Sequence, residues 1–307
     1  MKTIYFAGGC FWGVEHFFKG VDGVRSATPG YANGNKENPT YKEVYTDTTG
    51  FAETVKVEYN PKRVGLDTLL TLFFTIIDPL SLNRQGHDEG TRYRTGVFYT
   101  DSEDVPAIKK AFREVETKLG ARPVTELEPL KNFYPAEDYH QDYLDKNPGG
   151  YCHLPLKTFA YLRLWQDLKL FLGDEEDQIA RMANAAALIT ERMRFFWVGF
   201  YRVKGDQLVL GPFQGPAACQ RIGFGKGVCG TAWKERRTIV VPDVEQFPGH
   251  IACSSLSRSE IVVPLFNTNG SVSAVLDIDS DQLDTFDSTD ASWLELIAGV
   301  VAFTSYF

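Results

Sequence analysis

The side chains best suited to attack an electrophile in this 307-residue chain are its five cysteines, and they fall into two sets. Cys10 follows Gly8-Gly9 and precedes Phe11-Trp12, while Cys152 ends the segment Asn147-Pro148-Gly149-Gly150-Tyr151. Cys219, Cys229 and Cys253 cluster in the second half. Phe11, Val14, Phe17 and Phe18 recur at helical spacing, so Cys10 is expected at a helix amino terminus, facing unpaired N–H groups and the positive end of the dipole. That setting should lower its pKa and strengthen it as a nucleophile. A free cysteine can equally be a small buried hydrophobe. The two glycines, the aromatic wall and a second thiol on a Gly-Gly tail favour a redox nucleophile with a partner. An odd number of cysteines in so long a chain is not a disulfide scaffold, so any pairing would be catalytic or transient.

The elements that must position these thiols are legible in outline. A short strand, Thr3 to Phe6, leads into Gly8-Gly9. A loop from Pro29 to Pro39 precedes Tyr41 to Tyr45, and Thr48-Thr49-Gly50 with the alternating Thr54 to Tyr59 suggests a hairpin. Helices are expected at Leu66–Ile77, Val105–Leu119 (closed by Gly120) and Ala136–Lys146, with a strand at Thr95–Tyr99. The second half opens with a helix, Glu176–Met193. Hairpins follow at Phe196–Lys204/Gln207–Gly211 and Ile261–Phe266/Val272–Ile278, and a last helix at Ala291–Phe303. The length suggests two domains. The fold class is α/β (α+β): a mixed-order unit at residues 1–155, a linker at 156–173, and an antiparallel sheet with flanking helices at 174–307.

Composition excludes several functions. The net charge is −8 without a Lys/Arg-rich block, which argues against non-specific nucleic-acid binding or a cationic membrane surface. No apolar run approaches the ~20 residues that span a bilayer. Before Cys10 the apolar stretch is only Ile4 to Ala7, shorter than the roughly 7–15-residue core of a signal peptide, so a cytoplasmic location is expected. His16, His87, His140, His153 and His250 are scattered without zinc-ligand spacing, and Gly223-Phe224-Gly225-Lys226-Gly227 lacks the ending of a phosphate loop. No metal or bound cofactor is expected.

Five blocks in order carry a resemblance: Gly8-Gly9-Cys10-Phe11-Trp12-Gly13; Gly30-Tyr31-Ala32-Asn33-Gly34; Asn38-Pro39-Thr40-Tyr41-Lys42-Glu43-Val44; His87 to Arg94; and Phe133 to Gln141. Together they resemble the type-A methionine sulfoxide reductases, peptide-methionine (S)-S-oxide reductases, over nearly all of residues 1–153. The resemblance implies a two-layer mixed-sheet fold in which Cys10 attacks the sulfoxide sulfur, and Glu43 with Tyr31 and Tyr93 protonates and binds the oxygen. It implies that Asp88 supports this polar cluster and that Phe11 and Trp12 enclose the S-methyl group. Cys10 would become a sulfenic acid, Cys152 would resolve it to a disulfide, and thioredoxin would reduce that disulfide. Two departures stand out. No further recycling cysteine precedes Cys219, and the tail that usually ends such chains here continues into another domain.

The second half has the strand and helix pattern of a GAF domain, a fold widely used to sense small molecules. Cys219 in Gly215-Pro216-Ala217-Ala218-Cys219, Cys229 in Gly225 to Gly230, and Cys253 after His250-Ile251-Ala252 resemble the free methionine-(R)-sulfoxide reductases, a catalytic GAF family. The resemblance includes Trp197 to Tyr201 and Leu276 to Ser280. It implies Cys253 as nucleophile, Cys219 as resolving partner and Cys229 as auxiliary. It also implies Glu260, Asp277 and Asp279 at the polar end of the pocket, with Trp197 and Tyr201 around the methyl end. Asp277 and Asp279 alternate along a strand and so face one side. The expected protein is a bifunctional, thioredoxin-dependent reductase. It would act on oxidised proteins and on free methionine sulfoxide of both epimers. The alternatives are an (S)-sulfoxide reductase regulated by a sensory GAF domain, and a cysteine redox sensor.

Overall fold

A computed structural model of the chain describes residues 1–251 and 255–302. They form two compact units, divided after Phe159.

The first unit runs β1 (Lys2–Gly8), α1 (Phe11–Lys19), β2 (Val24–Ala32), α2 (Tyr41–Val44), β3 (Ala52–Tyr59), α3 (Leu66–Ile76), β4 (Arg84–Gln85), β5 (Asp88–Glu89), β6 (Thr95–Tyr99), α4 (Val105–Leu119), β7 (Glu126–Pro129), β8 (Phe133–Pro135) and α5 (Tyr143–Lys146). Six strands make one sheet in the order β7-β6-β1-β3-β2-β8, antiparallel except for β6 with β7. The central strands β1 and β3 supply Ile4, Phe6, Val55 and Val57 to the core, all fully buried. Phe6 stacks on Phe18 of α1 and Phe73 of α3, with ring centroids 4.8 and 4.7 Å apart, and so fixes both helices against the sheet. Truncating such a ring costs about 3–5 kcal/mol. Helix α4 ends at Gly120, whose left-handed φ of 65° only glycine adopts without strain.

Three local expectations change in this unit. Pro29 to Ala32 belong to β2 rather than to a loop. Strand β3 pairs with β1 and β2 instead of forming a hairpin at Thr48–Gly50. Helix α5 is only Tyr143–Lys146, because the preceding residues bond outward to the sheet and to α1: Ala136 N–H to the Pro29 carbonyl, and Asp142 N–H to Glu15.

Next comes α6 (Leu156–Leu172), where a linker was expected. Tyr161, Leu162, Leu164 and Leu168 are buried along it, and that burial explains why it is helical. Tyr161 donates to Asp290 at 2.8 Å and stacks on Trp293. The second unit continues with α7 (Gln178–Met193), β9 (Trp197–Lys204), β10 (Gln207–Gln214), β11 (Arg221–Gly223), α8 (Gly227–Glu235), β12 (Ile239–Val241), β13 (Ser259–Phe266), β14 (Val272–Ser280) and α9 (Ser288–Ala302). Its antiparallel sheet has the order β11-β10-β9-β14-β13-β12, with both expected hairpins in place. The Asp177 carboxylate caps α7 by accepting from the Ile179 and Ala180 N–H groups. The expected end of the last helix, Phe303, lies outside the described residues.

Candidate active sites

In the first unit Cys10 is the residue that caps α1, as its spacing predicted. It is a free thiol, 5% exposed, at the point where β1 turns through Gly8-Gly9. The expected low pKa is not found. Burial pushes the thiol well above its ordinary value, the Glu53 carboxyl adds to this, and the Trp12 amide opposes it only in part. Helix-terminal stabilisation loses because the site is dry and holds carboxyl groups.

The carboxyl beside Cys10 is that of Glu53, not Glu43. Glu43 is exposed on α2, where it accepts from the Thr40 N–H and hydroxyl in a capping box and pairs with Lys36. The Lys36 bond first, then Thr40, pulls it down to about 2. Glu53 is 1% exposed on β3 and accepts the Phe11 N–H at 3.0 Å. Burial pushes it up to about 8, so at neutral pH it keeps its proton. A protonated carboxyl that accepts through one oxygen retains a hydroxyl on the other, which suits a proton donor.

The tyrosines also need correction. The Tyr31 hydroxyl is committed to Glu137 at 2.7 Å, and its ring lies behind Phe11 at 5.9 Å. Tyr41, which had no assigned role, stands in the place expected for Tyr31: its N–H donates to the other Glu137 oxygen at 2.8 Å. Burial raises its phenol, with Glu53, Tyr93 and Cys10 contributing. Tyr93 is found where expected, 7% exposed and pushed up to about 12 by burial and by Glu53. Both phenols therefore remain donors. Trp12 stacks on Tyr143 at 3.7 Å and donates to His140 Nδ1 at 3.1 Å, so the aromatic wall beside the nucleophile is held rigidly.

Asp88, Cys10 and His153 converge, each with a ligand-capable atom within 4.8 Å of the others. Cys152 is a free, partly buried thiol beside α1. A Cβ on Gly13 would stand 3.1 Å from its sulfur, which is why this helix position is glycine. Burial raises the Cys152 thiol.

In the second unit a cavity of about 490 Å³ (its mouth included) is lined by Trp197, Tyr201, Ala218, Cys229, His250, Glu260, Asp277 and Asp279 among others. Strand register builds it. Glu260 lies across from Asp279, and Asp277 and Asp279 lie across from Gly199 and Trp197 of β9. Burial holds Glu260 and Asp277 well above the carboxylate range; Asp277 and Asp279 raise Glu260 further, and Asp279 raises Asp277 while hydrogen bonds from Cys229 and Glu260 oppose. Asp279 is raised to about 6 by burial, with Ser257 opposing. Cys229 Sγ is 4.0 Å from Glu260, and His250 Nε2 is 3.9 Å from the other Glu260 oxygen. The Trp197 indole donates to the Pro216 carbonyl and the Tyr201 hydroxyl to the Cys219 carbonyl, which seats the cysteine loop against the aromatic end. Cys219 is disulfide-bonded. Cys253, the expected nucleophile, lies outside the described residues.

Residues 2–166 match the family described as peptide methionine sulfoxide reductase. The chain belongs to the peptide methionine sulfoxide reductase family. Within that family it is 56% identical to the peptide methionine sulfoxide reductase MsrA of Clostridium acetobutylicum, over 50% of this chain and 96% of that protein. It is 52% identical to MsrA of Clostridium perfringens, over 51% of this chain and 99% of that one. Beyond the reductase domain, residues 174–304 match the GAF domain family. Among solved structures the chain is similar to a free methionine-R-sulfoxide reductase from Neisseria meningitidis in complex with its substrate. That likeness has 52% identity, covers 47% of this chain and 86% of that one, and has a TM-score of 0.46. Among the described residues, no helix is long and apolar enough to cross a membrane.

Proposed function

We propose that the chain is a bifunctional methionine sulfoxide reductase. Its first unit reduces free and protein-bound methionine-(S)-sulfoxide, and its second reduces free methionine-(R)-sulfoxide. The observation that carries this reading is that each unit holds its own cysteine and protonated-carboxyl pocket. Cys10 lies with Glu53 in one, and the cysteine loop lies with Glu260, Asp277 and Asp279 in the other. A pocket is chiral at sulfur, so two epimers need two sites.

In the first unit the sulfoxide oxygen is held by the Tyr41 and Tyr93 hydroxyls and protonated by Glu53. Polarised in this way, the sulfur is attacked by Cys10. The oxygen passes to Cys10 as a sulfenic acid, methionine leaves, and Cys152 displaces water to form the disulfide. In the second unit Cys253 attacks, Cys219 resolves, and the carboxyl cluster binds the oxygen and the substrate ammonium. Buried and acidic, that cluster suits a cationic ligand; a peptide-bound residue offers no ammonium there. Thioredoxin supplies electrons to both disulfides by thiol exchange, in the reducing setting of the cytoplasm.

Assay of Cys10→Ser and Cys253→Ser proteins on separated epimers is the test. Each variant should lose one epimer and keep the other. If the R epimer is still reduced by Cys253→Ser, or is never reduced by the wild type, the second unit is not a reductase and the sensory GAF reading replaces it.

A further inference from the structure

His153 follows Cys152 directly and has no part in the oxygen-transfer step assigned to Cys10 and Glu53. One of its ring nitrogens, Nε2, is 3.1 Å from the Gly8 carbonyl oxygen. A carbonyl only accepts, so Nε2 carries the hydrogen and Nδ1 carries a bare lone pair. That Nδ1 is enclosed and has no hydrogen-bond partner among the described residues. Burial of the ring holds its pKa below the usual imidazole value, against the pull of Asp88 and of the Gly8 carbonyl, so the neutral form prevails at neutral pH. A buried acceptor with no donor is costly unless the working cycle provides one.

Position identifies the donor. A Cβ placed on Gly13 would be 3.1 Å from Cys152 Sγ and 3.2 Å from His153 Nδ1, so the thiol and the lone pair flank one point beside α1. His153 is also within the 4.8 Å cluster that includes Cys10 Sγ and Asp88. The Cys152 thiol must lose its proton before it can attack, and burial holds that proton on.

We infer that His153 Nδ1 is the proton acceptor for Cys152 in the disulfide-forming step, an assignment that rests on Cys152 being the resolving thiol. Nδ1 takes the thiol proton, and the thiolate pair forms the S–S bond at Cys10 sulfur. The S–O bond of the sulfenic acid breaks, and hydroxide leaves as water with the proton returned by the imidazolium. Cys152 is oxidised, Cys10 is reduced, and no outside oxidant enters. The Gly8 carbonyl keeps the ring in the productive tautomer throughout.

His153→Gln tests this, because its amide N–H can replace Nε2–H toward Gly8 while offering no base at the Nδ1 position. The reduced full-length chain is mixed with a peptide-bound (S)-sulfoxide, and methionine release and disulfide closure are timed separately. One methionine per chain should appear at the wild-type rate, which also proves the fold. Disulfide closure should slow about 100-fold, with a sulfenic acid that a 1,3-dione traps, and should recover as pH rises and the thiol ionises unaided. Closure at the wild-type rate in His153→Gln and in His153→Asn overturns the inference. So does an equal slowing of both steps, which marks a structural role. Cys152→Ser is the separate control: if it still closes a disulfide, the resolving assignment itself has failed.

Discussion

The backbone N–H of Phe11 donates to the Glu53 carboxyl at 3.0 Å, which ties the residue after the nucleophile to a buried acid. This bond links the loop that presents Cys10 to the strand that presents Glu53. The first prediction follows. Glu53→Gln keeps the acceptor oxygen for Phe11 but loses the transferable proton, so (S)-sulfoxide reduction should fall about 10²–10⁴-fold in kcat/KM. Glu43→Gln, on the exposed α2 cap, should leave that rate near wild type.

Glu53 also sets a pH dependence. Its carboxyl is pushed up to about 8 and donates only while protonated. The rate of methionine formation should therefore fall with rising pH above about 8, approaching tenfold per pH unit. The falling limb should vanish in Glu53→Gln, since no proton remains to be lost. A wild-type limb at the same pH in both proteins would assign it elsewhere.

In the second unit, folding raises the pKa of Glu260, Asp277 and Asp279 together. Raised carboxyl pKa values mean that the folded unit holds protons that the unfolded chain releases. Their contribution to stability is complete below the ordinary carboxylate range. It is lost as pH rises through the folded values, about 6 for Asp279 and well above the ordinary carboxylate range for the other two. The thermal midpoint of this unit should fall as pH rises from about 4 through about 6 and beyond. Asp277→Asn should flatten the fall and raise the midpoint by a few degrees near neutrality, at the expense of R-epimer turnover. Differential scanning calorimetry across pH checks both.

Gly13→Ala would place a methyl 3.1 Å from Cys152 Sγ and 3.2 Å from His153. Both must shift by a few tenths of an ångström. Disulfide closure and steady turnover with thioredoxin should slow, while release of the first methionine stays within about twofold, because that step is carried by Cys10, Glu53 and the two phenols, none of which is among the atoms nearest the added methyl. Burst kinetics separate the two steps.

The two families of thiol were legible in the sequence, as were most helices and strands, because cysteine spacing and hydrophobic period are local. Glu43 and Tyr31 were misplaced for a non-local reason. Both stand in the blocks that carry the resemblance, but which carboxyl and which phenol meet Cys10 depends on the pairing of β3 with β1 and β2. A signal for Glu53 did exist. In β3 it shares its face with Val55, Val57 and Tyr59, all 1% exposed or less, so strand alternation sets a carboxyl on the core side. Tyr41 had no such sign, since it is placed by Glu137, which lies 96 residues away. The helix at Leu156–Leu172 was hidden in the same way, by packing partners such as Asp290 and Trp293 far along the chain.

The facing acids of β13 and β14 reach beyond catalysis. Three like groups are crowded there in a buried interior that favours their protonated forms. A cation arriving there stabilises the whole unit by mass action, in proportion to the logarithm of its concentration over its dissociation constant. Resistance to proteolysis would then track the supply of oxidised amino acid, and the enzyme would last longest in the cell when its work is most abundant.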